Sequence, residues 1–270
     1  MNNSAKNNIR PGRSENSGGI VLTHSALDKS YSPGEKLTFA LGISNNSEAA
    51  LKNFSLSTDL GRAQNPENQT GAPLAIFPPA LLYLNGLFCR ELDGCRKDGG
   101  YYFDIASLAA DDKLLIVYKT RVTDFAPLEK GGKIAVTSSL RDSENNVLSQ
   151  SQSLLTVEEY TDLLFYKTLC RREKENKTYV YDIRNRGNTS ASGAFVCDML
   201  PPSLFITEVR VNGEIVSVMD YTYKNGVLNL PSNKDGLIIP ASEYSREAFG
   251  KVTASPGRVR VEITGKEWEA

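Results

Sequence analysis

Alternation of apolar and polar residues with a period of two is the feature that most constrains this chain. The segment 258–263 (RVRVEI) alternates strictly, and 37–43 (LTFALGI) repeats the pattern early in the chain. Alternation over six or seven residues is typical of a half-buried β-strand. No window of eleven or more residues has the period of an amphipathic helix. We therefore expect an all-β protein.

One strand-and-turn unit occurs twice along the chain. The clearer copy, 177–218, has apolar runs that end at Asn185-Arg186-Gly187-Asn188, at a Leu-Pro-Pro and at Asn212-Gly213. A weaker copy begins at 36 and reaches a second Asn-Gly at 85–86. Asn-Gly pairs favour two-residue hairpins, and the other Asn, Gly and Pro clusters favour turns. Many short strands joined by such turns predict antiparallel β-sandwiches.

The length of 270 residues is compatible with one or two domains, and the duplication favours two. We expect a first β-sandwich at 19–158 and a second at 162–267, because charge and a short polar break separate two apolar runs between them. Residues 1–18 contain almost no apolar side chains and are rich in Asn, Ser and Gly. Such a segment cannot offset the entropy of ordering, so we expect a flexible tail.

The charge balance argues against nucleic acid as a partner. The chain has 31 basic and 32 acidic residues, with a net charge of −1, which offers no field for a polyanion or an anionic membrane. No run approaches the roughly 18 apolar residues that span a bilayer. No apolar segment follows Met1, so we expect either synthesis without classical secretion or a leader missing from the given chain.

The four cysteines fall two in each predicted half. Cys89 and Cys95 flank a turn-like RELDG loop, Cys170 follows a strand, and Cys197 lies within another. Two per half would suit one disulfide in each domain in an oxidising compartment. Buried free thiols are the competing interpretation. The sequence leaves both open.

The residues offer no recognisable catalytic or metal-binding constellation. His24 is the only histidine, and no Gly-x-Ser-x-Gly motif is present to supply a nucleophile. Cys89 and Cys95 are too far apart for the close pairs typical of zinc sites. Asp-Gly pairs are explained by turns that tolerate left-handed residues. We expect a protein that is not an enzyme and needs no metal or cofactor.

Three aromatic residues are candidates for contact with a ligand or partner. Tyr101 and Tyr102 lie in a strand-like run, and Trp268 follows the last strand, where no periodic pattern accounts for it. Strand tyrosines can present a sugar-stacking face, although core and cross-strand packing is their more frequent role.

Six short motifs, in order along the chain, resemble those of one family. The motifs are Pro33–Phe39, Leu108–Asp112, Ile183–Asn188, Cys197–Pro201, Val211–Gly213 and the apparent closing strand Val252–Gly265. The family that they resemble is the tandem-repeat domain of unknown function eleven. The resemblance implies two copies of an immunoglobulin-like sandwich of the kind common in bacterial surface proteins. It brings no catalytic residues.

Taken together, these features predict a non-enzymatic structural or adhesive component of a bacterial envelope or spore-surface layer. Its expected partners are other surface-layer proteins or glycans, and it could self-associate, without membrane insertion. The alternative is a carbohydrate- or protein-binding module whose site is formed by loops at one end of a sandwich.

Overall fold

The computed structural model describes residues 19–62, 71–97, 100–171, 176–233 and 235–267. These ranges contain 25 β-strands and no α-helix. The all-β fold class expected from the alternation is therefore confirmed. The tail expected at 1–18 lies outside the described residues.

The chain forms two compact units, Met1–Glu158 with Arg246–Val252, and Glu159–Ser245 with Thr253–Ala270. The first thirteen strands are β1 (Ile20–Ala26), β2 (Ser30–Tyr31), β3 (Lys36–Asn45), β4 (Leu51–Lys52), β5 (Ser55–Thr58), β6 (Leu74–Leu84), β7 (Leu87–Leu92), β8 (Gly94–Lys97), β9 (Gly100–Phe103), β10 (Ser107–Leu108), β11 (Lys113–Val122), β12 (Lys133–Arg141) and β13 (Val147–Val157).

The remaining strands are β14 (Leu163–Arg171), β15 (Asn176–Asn185), β16 (Ala191–Ala194), β17 (Val196–Met199), β18 (Leu204–Val211), β19 (Glu214–Ile215), β20 (Thr222–Lys224), β21 (Val227–Leu230), β22 (Leu237–Ile239), β23 (Glu243–Arg246), β24 (Val252–Ser255) and β25 (Gly257–Glu267).

The first unit is an immunoglobulin-like sandwich. One sheet has the order β1-β3-β11-β6-β7 and the other β2-β13-β12-β5-β9-β8, with β4 and β10 as a separate pair. The seven main strands of an immunoglobulin domain are named A to G in chain order. With these letters assigned to β1, β3, β5, β6, β11, β12 and β13, one sheet contains the order A-B-E-D and the other the order G-F-C. That is the immunoglobulin arrangement. The short β2 pairs with β13 in parallel, and the other pairings described here are antiparallel.

The alternation seen in the sequence builds the core of this first sandwich. In β3, Leu37, Phe39, Leu41 and Ile43 are at most 1% exposed, and the residues between them are half-buried. Successive strand residues point to opposite faces, so every second side chain of β3 packs toward the facing sheet. Burial of this apolar surface is the main force that stabilises the two sheets against each other.

The second unit repeats part of this plan. Its larger sheet has the order β14-β15-β25-β18-β19, and a smaller sheet has the order β17-β21-β20. Its core includes Tyr181, Val261 and Ile263, all fully buried. The pairs β16–β22 and β23–β24 complete its described strands.

The strand pairings of the two units correspond step by step. β1 pairs with β3 beginning at Ile20 opposite Asn45, and β14 pairs with β15 beginning at Leu163 opposite Asn185. The group β5-β9-β8 corresponds to β17-β21-β20, the pair β4–β10 to β16–β22, and β11 to β25. Among the described residues of the second unit, β12 and β13 have no counterpart.

A buried asparagine anchors the same turn in each unit. Asn45 is fully buried, and its Nδ2 donates to the carbonyls of Ala49 (2.8 Å), Leu108 (3.2 Å) and Ala109 (2.8 Å). Its Oδ1 accepts from the Ser47 amide at 3.2 Å. The side chain therefore supplies hydrogen bonds to backbone groups that the tight turn would otherwise leave without partners.

Asn185 has the same role in the second unit. Its Nδ2 donates to the carbonyls of Thr189 at 2.8 Å and Pro240 at 3.0 Å, and its Oδ1 accepts from the Gly187 amide at 2.9 Å. A Cβ on Gly187 would lie 2.2 Å from the Tyr160 carbonyl oxygen, so this turn position requires glycine.

Candidate functional site

The outer face of the β2-β13-β12-β5-β9-β8 sheet carries a row of polar side chains. Tyr102 of β9 lies opposite Ser57 of β5, Ser57 lies opposite Ser139 of β12, and Ser139 lies opposite Gln150 of β13. Residues directly opposite one another on neighbouring strands have their side chains on one face. The four side chains therefore form a continuous strip across the sheet.

The strip is polar because the same strands send their apolar residues inward. Leu56, Phe103 and Leu140 are at most 4% exposed and belong to the core of the first unit. Each is next in sequence to a member of the strip, so the period-two geometry places the two sets on opposite faces.

Hydrogen bonds hold side chains of the strip and of the neighbouring row in place. Gln150 Nε2 donates to Ser139 Oγ at 3.3 Å, and Gln152 Nε2 donates to Thr137 Oγ1 at 3.2 Å. The Asp59 carboxylate accepts from the Thr137 amide at 2.8 Å. The surface is thus built from side chains whose orientations are fixed by their neighbours.

The strip and its neighbours line a depression of about 400 Å³. Among the described residues that line it, Arg62 and Arg141 contribute guanidinium groups and Asp59 contributes a carboxylate. Arg141 Nη1 donates to the Asn145 carbonyl at 2.9 Å, which orients its planar group. An aromatic ring beside hydroxyl, amide and guanidinium groups is suited to the hydroxyl-rich faces of a saccharide.

The structure separates the aromatic residues that the sequence grouped together. Tyr102 lines the depression, whereas Tyr101 is only 8% exposed and packs edge-on against Phe103, with ring centroids 5.3 Å apart. Burial also raises the pKa of Tyr101. Tyr101 is therefore a core residue that points away from this face. Trp268 lies outside the described residues.

The single histidine is enclosed in the core of the first unit. His24 is 5% exposed, its Nε2 is 2.7 Å from the Tyr118 hydroxyl, and its ring stacks on Phe39 at 5.3 Å. Burial lowers the pKa of His24 to about 4, so the ring is neutral at pH 7. An imidazole in this position packs and does not face a substrate.

A second polar cluster lies at one side of the second unit. The Lys167 ammonium on β14 forms an ion pair with Asp198 on β17, and the Tyr181 hydroxyl donates to the same carboxylate at 2.6 Å. Lys167 also lies over the rings of Tyr179 and Tyr181, at 5.4 and 5.8 Å. Burial alone would raise the pKa of Asp198, but the hydrogen bonds from Lys167 and Tyr181 outweigh burial and lower it.

All four cysteines are free thiols with exposed side chains, so the buried-thiol interpretation is wrong. Cys95 lies opposite Tyr102 and shares its outer face, whereas Cys89 lies on β7, in the other sheet of the first unit. The structure does not bring these two predicted disulfide partners onto one sheet.

Cys170 and Cys197 are also separated. Leu169 lies opposite the core residue Tyr179, so the next residue, Cys170, faces outward, and Cys197 alternates with the buried Val196. The two thiols therefore stand on the two outer faces of the sandwich. Packed sheets lie about 10 Å apart, well beyond the roughly 3.8 Å between the Cβ atoms of a disulfide.

The described residues contain no group of three or more His, Cys, Asp or Glu side chains placed to hold a metal ion. They also contain no helix with the length and apolar character needed to cross a membrane.

Comparison with known proteins gives no family assignment. No family model matches the chain, and no curated protein matches it. The resemblance to domain of unknown function eleven, in two copies, therefore stays a prediction from the quoted motifs.

Solved structures that are similar to this chain include pilins and part of a surface protein of bacteria. BcpA, the major pilin subunit of Bacillus cereus, is 11% identical over 89% of this chain, with a TM-score of 0.35, and the match spans 65% of the pilin. The major pilin GBS80 of Streptococcus agalactiae, as a C-terminal fragment, is 10% identical over 93% of this chain and 80% of its own, with a TM-score of 0.32.

The collagen-binding subdomain of the Enterococcus faecalis surface protein ACE is 6% identical over 53% of this chain and 99% of its own, with a TM-score of 0.29. The present chain is described as immunoglobulin-like because of its own strand order.

Proposed function

We propose that this protein is a non-enzymatic structural or adhesive component of a bacterial envelope or spore-surface layer. The observation that best supports the proposal is the succession of two immunoglobulin-like units, each with its own buried core. Apolar side chains form the core of each unit, so faces, edges and loops are the parts that meet partners.

The positions of the titratable side chains agree with a non-catalytic role. His24, the only imidazole, is enclosed by Phe39 and Tyr118, and Tyr181 and Asp198 satisfy each other inside the second unit. Burial or hydrogen bonding shifts the pKa of each group, and each shift is explained by a structural contact.

Fractionation of cells tests the proposed location. An antibody to the full chain should find it in the envelope fraction of growing cells or in the spore-surface fraction of sporulating cells, and surface proteolysis of intact cells or spores should remove the signal. Detection in the vegetative cytosol alone would overturn the proposal.

A second candidate function is carbohydrate recognition, and the polar depression around Tyr102 is the observation that favours it. A tyrosine ring can stack on a pyranose, while Ser57, Gln150 and Arg141 supply hydrogen-bonding groups on the same face. The excess of guanidinium over carboxylate favours acidic saccharides. In this candidate function the site lies on a sheet face, whereas the sequence led us to expect loops at one end of a sandwich.

A glycan array that includes neutral and uronic-acid polymers tests this candidate. Tyr102→Ala and Arg141→Ala should each lose the binding seen with the full chain, because each removes part of the depression without touching the core. Tyr166→Ala, an exposed tyrosine of the second unit, is the matched control and should bind normally. A blank array would remove carbohydrate recognition and leave the structural role untouched.

A further inference from the structure

In the first unit, β13 lies along the free backbone edge of β1. The β1 amides of Leu22 and His24 donate to Ser149 Oγ at 3.2 Å and Ser151 Oγ at 2.9 Å. The hydroxyl of Ser153 donates to the His24 carbonyl at 2.8 Å. Three small side chains at alternate positions of β13 therefore bond the backbone of the facing strand.

The corresponding side of the second unit is open. The pairing registers place Leu163 at the position of Ile20, and Phe165 at the position of Leu22. Ile20 and Leu22 are 5% and 2% exposed, whereas Leu163 and Phe165 are 46% and 55% exposed. Apolar side chains that are buried in one unit thus face solvent in the other.

These exposed side chains of β14 point toward the inside of the sandwich. The Phe165 ring lies 5.8 Å from that of Tyr181, which is fully buried in the core. Leu169, 44% exposed, lies opposite Tyr179, another core residue. The inner face of β14 is therefore a continuation of the core that the described residues leave uncovered.

The neighbouring strand of the smaller sheet also has an open edge. In the first unit β5 lies between β9 and β12, whereas its counterpart β17 pairs with β21 on one side alone among the described residues. The other side of β17 presents backbone N–H and C=O groups that can accept a further strand. The open edge and the uncovered face border the same gap, because Lys167 of β14 reaches Asp198 of β17 across it.

We propose that the open edge of β17 and the uncovered face of β14 form a binding site for an antiparallel β-hairpin, which takes the place that β12 and β13 occupy in the first unit. One strand of the partner pairs with the open edge of β17 and directs alternate apolar residues inward. The other lies over Phe165 and Leu169 with small hydroxyl side chains toward β14. This is strand addition to a sheet edge, with the main chain supplying affinity and the side-chain pattern supplying selectivity.

This inference is independent of carbohydrate binding and of cellular location. It identifies the partner by its pattern: two strands, alternating apolar and small polar residues, and a tight turn. The Lys167–Asp198 pair, half-exposed at present, would be enclosed by the partner as an already matched pair. Enclosing a matched ion pair avoids the cost of burying a single charge.

A peptide of residues 133–157, which spans β12 and β13, is the direct probe, because it is the hairpin that fills this place in the first unit. Fluorescence anisotropy of the labelled peptide, titrated with the full chain, should show saturable binding. Binding should also slow amide hydrogen exchange in β17. A peptide of the same composition in scrambled order should do neither.

Two adjacent substitutions on β14 locate the site. Phe165→Ser removes an apolar contact on the inner face and should weaken peptide binding by about tenfold or more. Tyr166→Ser changes a residue of similar exposure on the outer face and should leave binding unchanged. Circular dichroism should show both variants folded. Absence of saturable binding by the full chain, or equal effects of the two substitutions, would overturn the inference.

Discussion

His24 illustrates how a single buried side chain couples the first unit to pH. Its ring packs against both Phe39 and Tyr118, and burial holds its pKa at about 4, below the ordinary value of 6.5. The unfolded chain therefore binds a proton as the pH falls through 6.5, whereas the folded chain does so near pH 4. Stability is lost across that interval and not above it.

We expect His24 to account for a loss of about 2 to 3 kcal/mol in the free energy of unfolding between pH 7 and pH 4.5. Urea denaturation at the two pH values measures the loss. His24→Gln lacks the titrating ring and should show a correspondingly smaller decrease. Equal decreases in the two proteins would contradict the assignment.

The buried asparagines give a second prediction. Asn185→Ala removes the donor to Thr189 and Pro240 and the acceptor for Gly187. Unsatisfied buried backbone groups should then cost about 2 to 4 kcal/mol of stability. Arg184→Ala, at the exposed neighbouring position, is the control and should change stability by less than about 1 kcal/mol in thermal denaturation.

Some residue roles could be predicted from the sequence and others could not. The Asn185 turn was predicted because Asn and Gly at that spacing leave few alternatives to a turn. The pairing of Asp198 with Lys167 was not, because the two residues are 31 positions apart and alternation predicts apolar residues on the inner face. The charge of Asp198 on the inner face is understood only from the structure, in which β14 and β17 border one gap.

At the scale of elements, periodicity located strands but not their places in the sheets. The alternating segments 37–43 and 258–263 lie within β3 and β25. The sequence motif treated the last strand as a closing strand, whereas β25 lies between β15 and β18 in the middle of its sheet. Alternation indicates that one face of a strand is buried, but it does not indicate which strands lie on either side.

Two adjacent prolines do not end the strand in which they lie. Pro78 and Pro79 lack the amide donors that strand pairing uses, yet β6 runs through both prolines. The register against β11 shifts between Val117 and Lys119, where the prolines lie opposite. An irregularity of this kind accommodates residues that lack an amide donor within a longer strand.

The outward placement of the cysteines gives a prediction at this scale. Because all four lie exposed on strands, each should react with a chromogenic thiol reagent in the folded protein without denaturant. The count of four should not rise after unfolding. Fewer than four reactive thiols in freshly reduced, folded protein would contradict the strand orientations.

Two turn glycines provide a matched pair. Gly213 and Gly226 both have positive φ, +87° and +83°, but a Cβ would meet nothing at Gly213 and would lie 2.7 Å from the Leu200 carbonyl oxygen at Gly226. Gly213→Ala should cost about 1 to 2 kcal/mol, and Gly226→Ala should cost distinctly more because the backbone must also move. Chemical denaturation of both variants compares them, and equal costs would contradict the contact.

At the scale of the whole molecule, two units share one framework and differ in how it is covered. β13 lies along β1 in the first unit, whereas the equivalent face of β14 is exposed. The duplication was visible in the turns, which recur at fixed places. The difference in coverage was not visible, because the strands that the structure describes in the second unit alternate in the same way whether or not a further strand pair covers them.

Hydrogen–deuterium exchange of the native full chain, resolved to individual strands, tests this account most directly. The amides of β14 and β17 should exchange faster than those of β1 and β5, their register counterparts, because β12 and β13 cover only the latter pair. Equal protection of the two sets would contradict the account of one closed and one open sandwich.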